Sequence, residues 1–162
     1  MLYIGVDLGT SAVKLLLMNE TGKIEKIVSR EYPLYFPKPG WSEQNPEDWW
    51  KQSLEGIREL TAECDKSQVA GISFGGQMHG LVILDENDEV IRPAILWNDG
   101  RTQKETDYLN EVIGKEKNIC LYSEHCFCRL YSAENFMGEG KMSRRILRKI
   151  RKNHAAEGLP GI

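Results

Sequence analysis

Residues 5–11 read Gly5-Val6-Asp7-Leu8-Gly9-Thr10-Ser11 and follow directly on the apolar residues 1–4. This pattern predicts a buried strand that ends in a short turn of small and hydroxyl-bearing residues, with one acid at its edge. A second apolar run, residues 13–18, returns at once. Backbone N–H groups and hydroxyls in such a turn can hold an anion, and Asp7 can hold a hydrated cation. The residues alone leave two alternatives open, a nucleotide-binding turn and an ordinary hairpin with a polar turn.

The composition is that of a globular chain rather than of a polyanion-binding one. Of the 162 residues, 41% are hydrophobic and 28% are charged, and the net charge is −3. The apolar start is too short, and too soon interrupted by Asp7, to be a signal peptide or a membrane span, so we expect a cytoplasmic protein. In that compartment we expect free thiols at the four cysteines, which are Cys64, Cys120, Cys126 and Cys128.

The first half of the chain predicts three strands and a helix. The strands are expected at residues 2–7, 13–18 and 24–32. A turn at residues 19–22 and a loop at residues 33–45 follow from their polar, glycine and proline content. Asn45 suits the N-cap of the helix and Pro46 its first position. Two overlapping apolar faces remain open for this helix, one with Trp50, Leu54, Ile57 and Thr61, the other with Trp49, Ser53, Ile57 and Leu60.

The second half predicts further strands and a second helix. Strands are expected at Val69–Phe74, which reads as buried, at residues 81–84 and at residues 93–97, with the apolar residues Val90 and Ile91 before the last of them. Residues 85–88 predict a turn, and residues 100–113 predict a helix. The resulting order is β-β-β-α-β-β-β-α, which predicts an α/β fold with a mixed sheet and flanking helices.

Four motifs in this sequence resemble those of a known family. Residues 7–11, D-L-G-T-S, resemble the first phosphate loop of the sugar-kinase, hexokinase and actin superfamily. Three more resemble the FGGY carbohydrate kinases: P-G-W-S-E-Q at 39–44, G-G-Q-M-H-G at 75–80 and I-L-W-N-D-G-R at 95–101. Within that family, W-S-E-Q and Q-M-H-G together are most similar to the xylulokinase branch. The resemblance covers residues 1–118 and implies an incomplete ribonuclease-H-like domain of the actin/hexokinase type.

The resemblance implies ATP and Mg²⁺ as cofactors of the phosphate turn. It implies that Asp7 positions Mg²⁺ through water, and that Thr10 and Ser11, with the backbone of Gly9, face the β- and γ-phosphates. Phosphoryl transfer needs mainly positioning and charge neutralisation, which a turn and an acid can supply. Lys14 is assigned to the same site, but two roles remain open for it, contact with phosphate and an ordinary polar position on a hairpin.

The other two motifs imply a sugar site for D-xylulose or a similar ketose. Gln77 and His79 can each donate and accept hydrogen bonds to hydroxyls, and Met78 would supply an apolar wall. Glycines 75, 76 and 80 are expected to let the backbone bend sharply there. The aromatic face of Trp97 can stack on the apolar side of a sugar. Asp99 can accept from sugar hydroxyls or pair with Arg101 as scaffold, and the segment Trp41–Gln44 is expected near the rim of the pocket.

The tail, residues 119–162, departs from the family pattern. Its segment 141–152 holds seven Lys or Arg, which makes nucleic acid an alternative but unfavoured partner. Residues 142–148 and 154–161 can be encoded so that a one-base shift restores family motifs, which predicts a frameshift in the coding sequence. The family's catalytic base is an Asp expected beyond residue 162, so we assign no catalytic base here and expect the chain alone to be inactive. The sequence leaves its oligomeric state undetermined.

Overall fold

The computed structural model of the protein describes residues 1–113 and 152–155. These residues divide into two compact units, the first formed by Met1–Leu34 and Gln44–Gln77, and the second by Tyr35–Glu43 and the described residues after Gln77. In chain order the elements are β1 (Leu2–Leu8), β2 (Ala12–Asn19), β3 (Ile24–Glu31), β4 (Glu43–Gln44), α1 (Pro46–Leu60), a 3₁₀ turn (Lys66–Gln68), β5 (Val69–Gly76), β6 (Leu81–Leu84), β7 (Ala94–Ile95), α2 (Gln103–Ile113) and β8 (Lys152–Ala155). No helix within these ranges is both long and apolar enough to cross a membrane.

The first unit is a mixed sheet with the strand order β3-β2-β1-β5. Strands β1, β2 and β3 are antiparallel neighbours, and β5 pairs parallel to β1. Alternate apolar residues of β1 and β2 point to one face and form its core, namely Ile4, Val6, Val13, Leu15 and Leu17. The three predicted opening strands are confirmed to within a residue at each end, and so is the turn after β2, where Gly22 adopts a positive φ of 84°.

Helix α1 packs against β2 and β3 on the core face of this sheet. As predicted, Asn45 caps it, and its side chain accepts from the N–H of Glu47. The face with Trp49 and Leu60 is buried, and the alternative face is wrong because Trp50 is 67% exposed. Gly56 lets the helix approach β2 closely, since a Cβ there would lie 2.5 Å from Cδ1 of Leu15.

Strand β5 was expected to be buried, and this expectation is wrong. Ile72 is 47% exposed and Phe74 is 73% exposed, although their partners across the strand pair, Ile4 and Val6, are buried. The physical reason is position, because β5 is the edge strand and α1 covers β2 and β3 instead. Sequence hydrophobicity measures what a strand can bury, whereas exposure depends on which neighbours are present.

The second unit carries a sheet with the strand order β4-β7-β6-β8. Its small core contains Leu81, Ile83 and Ile95, with Ile91 packed against them. The turn at residues 85–88 is confirmed, because Asp85 accepts from the N–H groups of Asn87 and Glu89. Val90 forms an isolated bridge with Leu84, β7 is shorter than predicted, and α2 begins at Gln103 rather than at residue 100. The prediction of a loop at residues 33–45 misses β4, and no strand was predicted at β8.

Candidate functional site

The turn between β1 and β2 is held by its own backbone. The N–H of Gly9 donates to the carbonyl of Ala12 at 3.0 Å, and the carbonyl of Gly9 accepts from the hydroxyl of Tyr32. The N–H of Tyr32 donates to the carbonyl of Ser11 at 3.3 Å. The N–H of Gly9 is therefore used to close the turn, and the contact of its backbone with phosphate stays a prediction.

Thr10 and Ser11 are the hydroxyl-bearing residues of this turn. The carbonyl of Thr10 accepts from Nε2 of Gln44 at 2.6 Å, so the peptide backbone is anchored from inside the unit. Ser11 is exposed and Thr10 is half-buried. Anchored carbonyls fix the direction in which the two hydroxyls leave the backbone, and such preorganised groups can orient an anion.

Asp7 is an exposed acid just before the turn. Its carbonyl accepts from the N–H of Gly9 at 3.2 Å, but its carboxylate makes no hydrogen bond or ion pair with any residue in the described part of the chain. In the strand pairing it lies opposite exposed Lys14 on one side and Gly75 on the other. A Cβ at Gly75 would meet nothing within 4 Å, so open space lies beside the carboxylate. Asp7 can therefore accept an ion or its waters without breaking an existing contact.

Within the described residues, this unit does not provide a complete set of protein ligands for a metal ion. Among residues 1–113 and 152–155, no group of three or more His, Cys, Asp or Glu side chains could hold an ion. Mg²⁺ suits a site of another kind, because it keeps several waters and is often bound by one carboxylate together with substrate phosphates. A single unpaired carboxylate beside a hydroxyl-bearing turn fits that kind of site.

Tyr32 is a component of the turn that sequence reasoning does not identify. Its ring is buried, with 6% of its surface exposed, and its hydroxyl donates to Gly9. Burial, and then the negative charge of Asp7, raise the pKa of Tyr32 to about 12. The phenol therefore stays protonated at neutral pH and remains a donor to the turn.

Gln77 directly follows β5, as predicted for a residue at a strand junction. Its backbone N–H donates to the carbonyl of Leu8 at 2.8 Å, and its Nε2 donates to Oε1 of Gln44 at 3.1 Å. Its Oε1 is buried and has no hydrogen-bond partner among the described residues. An unpaired buried acceptor is costly, so this atom is suited to a donor from a ligand or water.

The backbone around Q-M-H-G bends at a different residue from the predicted glycines. The residue with a positive φ is His79, at 62°, and none of the three glycines of the motif has one. Gly76 instead allows β5 to approach β1 closely, because a Cβ at this position would lie 3.0 Å from Cβ of Leu8. A non-glycine residue in the left-handed region carries strain, which is found most often where function requires a fixed geometry.

The second unit contains Met78, His79, Trp97 and Asp99 from the predicted sugar site. Met78 is 53% exposed and Trp97 is 44% exposed, so both present apolar surface that a ligand could cover. His79 is half-buried. An open groove of this unit is lined by residues 36–42 and Asn98, and the four predicted sugar residues are not part of that lining.

Asp99 differs from its neighbours because its carboxylate is fully used. Only 2% of the residue is exposed. Its Oδ2 accepts from the N–H of Ser42 at 2.6 Å and from Nη2 of Arg101 at 2.7 Å. Its Oδ1 accepts from the N–H and the Nε of Arg101, both at 2.8 Å. Of the two roles left open for Asp99, this geometry favours scaffold over sugar contact.

Arg101 extends that scaffold to the W-S-E-Q segment. Its Nη2 also pairs with Oε1 of Glu43 at 2.7 Å, and its guanidinium lies 3.7 Å from the ring centre of Trp41. Burial alone would lower the pKa of Arg101, but hydrogen bonds to Asp99 and Glu43 hold it above its usual range. The motif segment Trp41–Glu43 is thus fixed to residues 99–101 within the second unit.

Comparison with known proteins places this chain in a family. Residues 2–133 match the N-terminal domain of the FGGY family of carbohydrate kinases, and the match extends past residue 118, where the motif resemblance ends. The chain is 50% identical over 113 residues to the xylulose kinase of Bacillus subtilis strain 168, which covers 68% of this chain and 23% of that protein. It is 34% identical over 100 residues to the gluconokinase of the same strain, which covers 62% of this chain and 20% of that protein.

A solved structure gives the same result for the fold. The crystal structure of a xylulose kinase from Brucella ovis matches with a TM-score of 0.87 and 35% identity, covering 96% of this chain and 32% of that one. The predicted fold class, a mixed sheet with helices of the actin/hexokinase type, is confirmed. The chain belongs to the FGGY family of carbohydrate kinases. It spans about a quarter of the length of the curated relatives it matches.

Proposed function

We propose that the chain is the N-terminal part of a kinase that transfers the γ-phosphoryl group of ATP to D-xylulose, giving D-xylulose 5-phosphate. The observation that carries the proposal is Asp7, an exposed acid without a partner in the described part of the chain, beside a turn whose hydroxyls belong to Thr10 and Ser11. The 50% identity to a xylulose kinase, against 34% to a gluconokinase, supports the choice of sugar.

At the phosphate end, the proposal assigns charge and orientation to separate residues. Bound Mg²⁺ would neutralise charge on the phosphates of ATP. Asp7 would hold that ion through water, and the hydroxyls of Thr10 and Ser11 would orient the phosphate oxygens. Lys14 is exposed directly across the strand pair from Asp7, so its ammonium group is available to the same anion. Gly9 closes the turn through its N–H, and its backbone would face the phosphates beside these hydroxyls.

At the sugar end, hydrogen bonds would recognise hydroxyls and apolar faces would exclude water. Gln77 would offer its Oε1, which has no partner among the described residues, to one hydroxyl of the ketose, and the imidazole of His79 would contact another. Met78 and Trp97 offer exposed apolar surface to the carbon face of the sugar. Asp99 would support the site without contacting the sugar, because its oxygens already accept from Ser42 and Arg101.

We also propose that the 162-residue chain by itself binds ligands without transferring a phosphoryl group. The attacking hydroxyl must lose a proton, and we assign no described residue to that role. By family resemblance the base is an Asp beyond residue 162. On this proposal residues 1–118 carry the motifs of the kinase domain and residues 119–162 diverge from its motif pattern, although the family match itself continues to residue 133. Reading the DNA past codon 118 tests the frameshift, which fails if no shifted frame restores the missing motifs.

The direct test is the binding of Mg²⁺ and ATP to the 162-residue chain, measured by calorimetry. We expect Asp7→Asn to weaken ATP binding roughly tenfold with Mg²⁺ present and to have little effect without it, since the loss of one charge-assisted contact costs about 1.4 kcal/mol. Glu25→Gln is the matched control, because Glu25 is an acid at the opposite end of the same sheet and pairs with Lys23. Equal losses in both variants would contradict the assignment of Asp7.

The whole activity is testable in a chimera that joins residues 1–113 to the remainder of the Bacillus subtilis xylulose kinase. We expect the chimera to phosphorylate D-xylulose and the 162-residue chain to phosphorylate nothing. Asp7→Asn in the chimera should lower kcat, while Glu25→Gln should not. Turnover by the 162-residue chain alone would overturn the proposal that it lacks a base.

The same chimera separates the alternatives within the family. Another ketose or polyol kinase remains the second candidate, because a gluconokinase also aligns with this segment. Preference of the chimera for gluconate, ribulose or glycerol over D-xylulose would favour that reading. Nucleic-acid binding through residues 141–152 stays a prediction, since nearly all of that segment lies outside the described residues.

A further inference from the structure

Gln44 is a fully buried amide in the first unit, with 0% of its surface exposed. Its Nε2 donates to the carbonyl of Thr10 at 2.6 Å and to that of Pro33 at 3.3 Å. Its Oε1 accepts from Nε1 of Trp49 at 3.0 Å and from Nε2 of Gln77 at 3.1 Å. Both donor hydrogens and both acceptor positions of the amide are therefore used.

The partners of Gln44 allow only one orientation of its amide. Two of them are backbone carbonyls, which can only accept, and a third is an indole N–H, which can only donate. Turning the amide over would place its oxygen against the carbonyl of Thr10 and its NH₂ group against the indole of Trp49. The carbonyl and indole partners thus hold Oε1 of Gln44 towards Gln77.

The orientation of Gln44 in turn decides the orientation of Gln77. Because Gln44 presents an oxygen, Gln77 must present its NH₂ group to it, and Oε1 of Gln77 then faces away. This Oε1 is the buried atom that has no partner among the described residues. The backbone N–H of Gln77 donates to the carbonyl of Leu8. The residue therefore cannot move freely to bring its Oε1 to another donor.

We propose that Gln44 is a positioning residue that makes Gln77 an acceptor towards the ligand. The ligand group at Gln77 must then donate a hydrogen bond, as a hydroxyl does and as a carboxylate or ketone oxygen does not. This inference rests on the proposed sugar-kinase function for the nature of the ligand, but the coupling of the two amides stands on the contacts alone. A site that pairs with a hydroxyl discriminates strongly against analogues lacking it.

The first experiment needs no substitution. We expect the side-chain NH₂ group of Gln77 in the 162-residue chain to exchange with solvent slowly in NMR spectra, because one of its hydrogens is held by Gln44. Exchange as fast as that of a free glutamine side chain would overturn the inference. This result does not depend on sugar binding, so it separates failure of this inference from failure of the proposed function.

The second experiment is a double-mutant cycle on D-xylulose affinity in the same chain. Gln44→Met should weaken affinity roughly tenfold, the value of one hydrogen bond, and should have no further effect in the Gln77→Ala background. Equal losses in both backgrounds would mean that Gln44 acts by general stability and would overturn its positioning role. The matched control is Trp49→Phe, which removes one donor from Gln44 but leaves Gln77 bound, and should change affinity little. If the unmutated chain binds no D-xylulose, the proposed function of this chain fails and the exchange experiment decides the inference.

Discussion

Asp7 at the end of β1 and Asp99 after β7 are the two acids that the sequence predicts at ligand sites. In the structure they differ in exposure and in hydrogen bonding. Asp7 is exposed, with open space beside it at Gly75. Asp99 is 2% exposed, and both its oxygens accept from Ser42 or Arg101. The same residue type therefore supplies an exposed carboxylate in one unit and a buried, fully hydrogen-bonded one in the other.

The difference follows from the chemical requirements of the two roles proposed for these carboxylates. An acid that is to hold a hydrated ion must keep its lone pairs free, and its neighbours must leave room. A buried acid that fixes a loop must accept hydrogen bonds from backbone and guanidinium N–H groups, because a buried carboxylate without donors is strongly destabilising. Substitutions that remove the charge should thus affect stability at one acid and ligand binding at the other.

The largest expected effect is on folding, and it separates the two acids directly. Asp99→Asn should lower the free energy of unfolding of the 162-residue chain by about 3 kcal/mol, since it leaves buried Arg101 without a charged partner on one side. Asp7→Asn should change it by less than about 0.5 kcal/mol, as exposed positions usually do. Urea unfolding of both variants makes the measurement. Equal destabilisation would show that the contrast between the two acids is wrong.

The next effect concerns the geometry of the scaffold rather than its charge. Arg101→Lys should cost about 2 kcal/mol, because a lysine keeps the charge but loses the fork that binds Asp99 and Glu43 together. The matched control is Arg30→Lys, which alters a similar fork to Glu55 and Glu59 on the surface of α1. The side chain of Arg30 is 30% exposed against 4% for Arg101, so the control should cost less than about 1 kcal/mol. Unfolding free energies of similar size would contradict the buried scaffold.

Local signals in the sequence were sufficient for the elements that depend on local interactions. The first three strands, the turn after β2 and the cap at Asn45 all follow from patterns within a few residues, and the structure has them. The family motifs likewise identified the turn at residues 7–11. These features are encoded by alternation, glycine and capping chemistry, which short windows of sequence contain.

The features that sequence reasoning missed depend on contacts between distant segments. Strand β4 has two residues and exists because Glu43 meets Tyr35 and because Ser42 accepts from Leu96. The buried role of Asp99 depends on the N–H of Ser42, 57 positions away. Phe74 looked like core, but exposure at the edge of a sheet depends on which strand comes next. None of these contacts leaves a periodic trace in the sequence.

The smallest effect tests whether the charge of Asp7 is felt inside the turn. Burial, and then Asp7, raise the pKa of Tyr32 to about 12 from an ordinary value near 10. The folded state therefore holds the phenolic proton more tightly than the unfolded state does. This contribution to stability is fully present below pH ~10, and it is lost as the pH rises from ~10 towards ~12. Tyr32→Phe should remove that loss, so the difference between the two proteins isolates Tyr32 from the other tyrosines.

Asp7→Asn should lower the pKa of Tyr32 without returning it to the ordinary value, because the larger cause, burial, remains. Glu25→Gln should leave it unchanged, since this acid lies at the far end of the sheet. Absorbance of the phenolate against pH measures both, with Tyr32→Phe as the blank. If the pKa of Tyr32 does not change in Asp7→Asn, solvent screens the carboxylate of Asp7 from Tyr32. The charge of Asp7 would then have no effect inside the turn. A measurable fall in the pKa of Tyr32 would show that the exposed carboxylate of Asp7 is close enough to act electrostatically on a group that holds the turn.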